Sequence, residues 1–262
     1  MTTPRFEDLS ARDLLPLGLG ELVHKTARLS RARQLVLRIM SLGLVDHLAL
    51  RSLAIDEVVL ASPAEQIVIL GAGLDARALR LSRAPEVRFF EVDHPNSQRW
   101  KQKRLALARP SAAADRTVYV SVDFTSQSLA AALLSAGFAT SKSSVFVWEG
   151  VTMYLPREAT VQTLRDLAVL AKQGSCVALT YMETPRRPIP ASLRVLLDAG
   201  LGLIGEPLGS TYTISEMHAL LAEHGFGCVS DEASDDWAGR YEGNATLARA
   251  FRAERLAVAV RR

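Results

Sequence analysis

The segment Gly71-Ala-Gly73-Leu-Asp-Ala76 follows the apolar run Gln66-Ile-Val-Ile-Leu70 and precedes residues with helical signals. Glycines at a strand-to-helix junction permit a tight turn and let a ligand approach the backbone closely. Glu91 and Asp93 close the next apolar run. Asp93 stands about 20 residues after Gly73, the separation at which a carboxylate reaches ribose hydroxyls on such a scaffold. The chemistry this points to is the holding of a nucleoside-containing cofactor; a tight turn with a surface acid is the plainer alternative.

The same spacing fits the G-x-G-x-x-A variant of a dinucleotide fingerprint, so an NAD(P)-dependent oxidoreductase is one reading. Two features turn away from it. Roughly 65 residues of helical pattern precede the first strand, whereas a dinucleotide unit commonly opens with its strand. Asp75 also lies in the loop where a pyrophosphate would rest on the helix N-terminus, and a carboxylate there is unfavourable. S-adenosylmethionine, which carries a sulfonium and an ammonium and no phosphate, tolerates that carboxylate.

Other reactive side chains form no defensible set. His94 beside Asp93 reads as a helix cap more readily than as a base, and His24 and His47 as partly buried or surface histidines. His218 and His224 are six apart on one helical stretch, which is not a metal-ligand spacing, and no His/Cys/Asp cluster suits a metal.

The elements that must position these residues follow from hydrophobic pattern. Gln66–Leu70, Val87–Val92, Thr117–Val122, Ser144–Trp148 and Ser175–Met182 are β-branched or aromatic-rich runs of strand length. Between them, Pro95–Ala108, Ser126–Ala136 and Pro156–Ala171 carry helix signals, two of them with proline at a first-turn position. Strands alternating with helices predict a mostly parallel sheet with helices on both faces. Residues 1–61 read as a helical extension, with Leu35, Ile39, Leu42 and Val45 on one face. In the tail, Thr213-Ile-Ser-Glu216 is a capping box opening a helix to about His224. Strands are expected near Gly227–Val229 and Leu256–Val260, and the acidic run Asp231–Asp236 reads as a solvated loop.

Composition bounds the function classes. The 262 residues are 48% hydrophobic and 23% charged, as in a folded domain, and net charge is 31 − 28 = +3. Bulk charge therefore gives no support to nucleic-acid binding. Two cysteines, Cys176 and Cys228, exclude a disulfide framework and suit a reducing, cytoplasmic compartment. Residues 1–10 lack an apolar signal segment, and Leu193–Gly209 is broken by Arg194, Asp198 and Glu206, so neither secretion nor a membrane span is expected.

Three blocks in order, Ile69-Leu-Gly-Ala-Gly-Leu-Asp-Ala-Arg77, Phe90-Glu-Val-Asp-His-Pro95 and Trp148-Glu-Gly-Val-Thr-Met-Tyr-Leu-Pro156, resemble the signature blocks of the leucine carboxyl methyltransferase family. A weaker block, Leu50-Arg-Ser-Leu-Ala-Ile-Asp56, resembles its arginine-containing segment. The family includes bacterial members assigned to polyketide and other natural-product O-methylation. The resemblance implies a class I methyltransferase fold, Rossmann-like α/β, with a seven-stranded mostly parallel sheet, an antiparallel last strand and S-adenosylmethionine as cofactor. It implies that Arg51 pairs with the methionine carboxylate, a group suited to a guanidinium. Gly71 and Gly73 line the methionine and ribose, and Asp93 takes the ribose hydroxyls. Asp123 and Phe124 hold and cover the adenine, while Glu149 faces the methionine moiety or the reacting centre. Lys25 matches a basic position serving cofactor or substrate. Two departures are Ala76, where many relatives carry Thr, and Glu183–Pro190, which does not match the enzymes that methylate a phosphatase C-terminus.

On that resemblance the chain is one methyltransferase domain, with residues 1–61 as a cap, 62–262 as the core and an acceptor lid near 184–210. Tyr154, after Glu149, is placed to wall the acceptor pocket or bond a substrate oxygen. Arg186 and Arg187 stand where they could attract an acidic acceptor, or form a solvated charge pair. An ionised carboxylate acceptor needs positioning but no general base, whereas a hydroxyl needs one. The expectation is methyl transfer to a carboxylate, or else a hydroxyl, of a small natural-product-like molecule. A cofactor-binding module without catalysis is the rival outside the enzymes.

Overall fold

The computed structural model describes residues 43–81, 86–107, 117–185, 209–241 and 243–262. Lys25, His24, Arg186, Arg187, residues 1–42 of the expected cap and 186–208 of the expected lid lie outside the described residues.

The first described helix, α1 (Leu44–Ala61), buries Leu50, Ala54, Ile55 and Val59, a spacing that forms one helical face. It leads to β1 (Gln66–Leu70), then α2 (Arg77–Arg80), β2 (Arg88–Asp93), α3 (Pro95–Leu107) and β3 (Thr117–Ser121). There follow α4 (Leu129–Ser135), β4 (Ser144–Trp148), a 3-10 turn (Thr152–Tyr154), α5 (Arg157–Leu170) and β5 (Cys176–Met182). After residue 209 come α6 (Ile214–Glu223), β6 (Phe226–Ala233), α7 (Ser234–Arg240), α8 (Ala245–Ala248) and β7 (Glu254–Arg261).

The strands form one seven-stranded sheet in the order β3-β2-β1-β4-β5-β7-β6. β1 to β5 pair in parallel, and β7 runs antiparallel to both β5 and β6. β1 and β4 are fully buried, which explains their continuous apolar runs. Alternate residues serve opposite faces: Val68 and Leu70 join a core with α4, α5 and α6. Ile67 and Ile69 join a second core with α1, Trp237 and Ala248. Residues 44–61 are thus one layer of the α/β/α sandwich, although the expected division between cap and core falls at residue 61.

Several expectations are corrected. Asp231–Asp236 is not a solvated loop: β6 continues to Ala233 and α7 starts at Ser234. The acids remain because Asp231 is a buried acceptor for Tyr181 Oη at 2.7 Å and Arg255 Nε at 2.6 Å, and pairs with His218 at 2.8 Å. Pro156 caps α5 from outside the helix. The helix after the glycine loop has only four residues. The Thr213–Glu216 capping box is formed as expected.

Candidate active site

Strand order reverses between β1 and β4, each of which has its next partner on the other side. Open α/β sheets bind ligands at the carboxyl ends of strands at such a point. The loop after β1 turns here over the end of β2: the amides of Gly71 and Ala72 both donate to Val92 O, at 2.8 and 3.0 Å. Gly71 takes φ 67° and Gly73 φ 41°, a region L side chains rarely adopt. A Cβ on Gly71 would stand 2.3 Å from Val151 Cγ2, so glycine lets the loops after β1 and β4 touch. A Cβ on Gly73 would meet only Gly71 O, at 3.8 Å, so no side chain of the described residues crowds that position.

Asp93 ends β2 beside Gly73. Its Oδ2 accepts the Gly73 amide and its Oδ1 the His94 amide, each at 2.6 Å. His94 caps α3, its Nδ1 accepting the Asn96 amide at 3.3 Å. Asp123 follows β3 and accepts the Thr125 hydroxyl at 2.6 Å and amide at 2.9 Å, bonds that hold its carboxyl below the usual range. Phe124 packs against the core beneath it.

Glu149 leaves the end of β4 between two arginines. Arg51 Nε donates to its Oε1 at 2.7 Å and Arg77 Nη1 to its Oε2 at 2.5 Å. Burial alone would raise this carboxyl, but Arg77 and Arg51 outweigh it and hold it down at about 2. Arg51 Nη1 also reaches both oxygens of Glu254, at 2.7 and 2.9 Å, and Glu254 in turn meets buried His47 at 2.5 Å. Arg77 pairs with Asp56 at 2.8 Å and with Asp75, and Arg80 reaches Asp56 at 2.8 Å. Four carboxylates (Asp56, Asp75, Glu149, Glu254) thus meet three guanidiniums (Arg51, Arg77, Arg80) across α1, α2, both loops and β7.

Thr180 on β5 fixes the loop that carries Glu149, accepting the Gly150 amide at 2.8 Å while Thr152 Oγ1 donates to Thr180 O at 2.6 Å. Tyr154 ends this turn with 37% of its surface exposed. The chain returns beside it, Gly209 N donating to Met153 O at 2.6 Å.

The structure therefore gathers Arg51, Gly71, Gly73, Asp93 and Glu149 at the strand crossover, with Tyr154 and Asp123 on the flanking loops. Arg51, implied to be a ligand for the methionine carboxylate, is engaged by two carboxylates of its own chain. Asp75 does not stand open in the loop as the sequence suggested, since Arg77 takes its carboxylate from both backbone and side chain. Residues missed in the sequence are Arg77, Asp56 and Glu254, while His47, read there as a partly buried or surface histidine, is fully buried against Glu254. Arg77 and Asp56 were visible as the ends of two quoted blocks; Glu254 had no such signal.

Fold and site together define a class I S-adenosylmethionine-dependent methyltransferase architecture. A sequence model described as leucine carboxyl methyltransferase matches residues 4–168, and the chain belongs to that family. Named relatives agree. A "Putative S-adenosyl-L-methionine-dependent methyltransferase" of Mycobacteroides abscessus is 36% identical over 143 residues, 53% of this chain and 46% of that one. A relative in Mycolicibacterium smegmatis is 32% identical over 179 residues, covering 66% and 56%. The chain thus spans about half the length of these relatives. Among solved structures, mitomycin 7-O-methyltransferase superposes with TM-score 0.52 at 20% identity, covering 90% of this chain and 59% of that one. Magnesium protoporphyrin IX methyltransferase from Synechocystis, with bound S-adenosylhomocysteine, gives TM-score 0.52 at 15% identity, covering 96% and 98%. At these identities the likeness concerns the fold. The family's cofactor is S-adenosylmethionine, in place of the dinucleotide that the glycine loop by itself left open.

Proposed function

We propose that this chain methylates an oxygen, a carboxylate before a hydroxyl, of a small natural-product-like acceptor. S-adenosylmethionine supplies an electrophilic methyl group on a sulfonium. Gly71 and Gly73 give it room against the backbone, Asp93 holds ribose hydroxyls, and Asp123 with Phe124 flanks the adenine. Glu149 presents fixed negative charge to the cationic methionine end, oriented by Arg51 and Arg77. Lys25 would add a basic group to the cofactor or the acceptor.

The observation that carries the carboxylate is the state of Glu149. A carboxyl held down at about 2 between two guanidiniums takes no proton near neutrality. An acceptor attacking beside it does best to arrive already ionised, as a carboxylate with ordinary pKa near 4 does. Transfer then needs alignment at about 3–3.5 Å and exclusion of water, with no proton moved. Tyr154 borders the acceptor's approach, beside Gly209, whose amide donates to Met153 O at 2.6 Å.

Calorimetric titration with S-adenosylmethionine, S-adenosylhomocysteine and NADH tests the first half. Binding of the first two, lost in Asp93→Ala, is expected; binding of NADH alone would sink the reading. For a turned-over acceptor, kcat/KM independent of pH above about 5 marks a carboxylate, whereas a rise through neutrality marks a base and a hydroxyl. Cofactor binding with no transfer to any acceptor would favour a silent module.

A further inference from the structure

Helix α3 lies along β2 with two polar side chains turned inward one turn apart. Gln98, 5% exposed, donates from Nε2 to Glu91 O at 2.9 Å, and Ser121 Oγ at the end of β3 donates to Gln98 Oε1 at 2.5 Å. Lys101 is 2% exposed; its Nζ lies 2.6 Å from Glu91 Oε2 and donates to Asp75 O at 2.5 Å. Glu91 belongs to β2, whereas Asp75 O belongs to the glycine loop.

A buried ion pair is costly to desolvate, and apolar residues of similar size usually serve packing as well or better. Packing α3 on β2 therefore does not explain a lysine here. The loop carbonyl does: Asp75 ends the turn that its amide closes on Ala72 O at 2.6 Å, and no apolar side chain could bond its carbonyl as Lys101 does. Glu91 aims the Lys101 side chain, which spans from helix to loop.

We infer that Lys101, oriented by Glu91, is a positioning residue that fixes the glycine loop through Asp75 O and so sets how Gly73 and Asp93 are presented to the cofactor. The consequence for the cofactor rests on the methyl-transfer reading; the consequence for the loop does not. In this arrangement α3 measures the gap between the ends of β1 and β2, with Gln98 doing the same for β2 and β3.

The double variant Lys101→Met with Glu91→Met removes both charges at similar volume, so that a merely structural pair would be replaced without loss. With a melting temperature near wild type, it is expected to exchange the Gly73 and Asp75 amides about tenfold faster in the ligand-free protein, and to bind S-adenosylhomocysteine about tenfold more weakly. Unchanged exchange and binding in a stable double variant would overturn the inference. Should that variant fold poorly, Lys101→Met alone at pH 6, where an unpaired Glu91 can carry its proton, gives the same comparison. If wild type itself does not bind S-adenosylhomocysteine, the methyl-transfer reading fails, while amide exchange still decides the role of Lys101.

Discussion

Glu149 and Glu91 show two opposite outcomes for a carboxyl buried in one protein. Glu149 gains two guanidiniums and is held down at about 2; Glu91 is raised by burial, offset only in part by Lys101, to about 7. Their signatures in acid differ in sign. Glu149 binds protons more weakly folded than unfolded, so its stabilisation is complete above the ordinary carboxylate value of about 4.3 and disappears as pH falls towards about 2. Glu91 holds its proton more tightly when folded, so stability falls as pH rises from about 4.3 to about 7 and then levels. Urea unfolding across pH should find the acid limb shallower in Glu149→Gln and the decline towards neutrality flattened in Glu91→Gln. At pH 7, Glu149→Gln leaves two buried guanidiniums short of a partner and should cost about 3–5 kcal/mol.

At the scale of elements, the glycine loop is held in shape by its neighbours. Gly71 has both a positive φ and a Cβ position that collides with Val151, while Gly73 has the positive φ with open space. Gly71→Ala should therefore lose about 2–4 kcal/mol, and Gly73→Ala about 1–2 kcal/mol, measured by urea unfolding. Gly73→Ala should nonetheless weaken S-adenosylhomocysteine binding strongly, because the added methyl projects from the backbone that the proposed cofactor approaches. The strands and the loop were legible in the sequence, because strands buried on both faces read as unbroken apolar runs. The network around Glu149 was not, because Arg51 meets partners 98 and 203 residues away. Asp231 misled for a related reason. An acid in an acidic run reads as solvated until the side chains that bury it, from β5, α6 and β7, are in place. The expected acceptor lid, near 184–210, and residues 1–42 of the expected cap fall mostly outside the described residues.

Across the whole molecule, stability and cofactor binding should separate according to which end of the sheet is disturbed. Asp231→Ala removes an acceptor shared by Tyr181, His218 and Arg255 and should cost about 3 kcal/mol. S-adenosylhomocysteine affinity of its folded fraction should stay unchanged, since none of these residues borders the glycine loop. Glu254→Gln should affect both, because Glu254 orients Arg51 from the first residue of β7. That strand, late in sequence, is inserted between β5 and β6, which precede it. Until residues 254–261 are threaded into place, the edge of β5 is an unpaired template, open to strands of other molecules. The long-range pairings that close this gap are also the slow kind to form. The insertion that removes this aggregation hazard also delivers Glu254 to Arg51, so a misassembled chain lacks part of its binding site, and restored affinity reports completed folding.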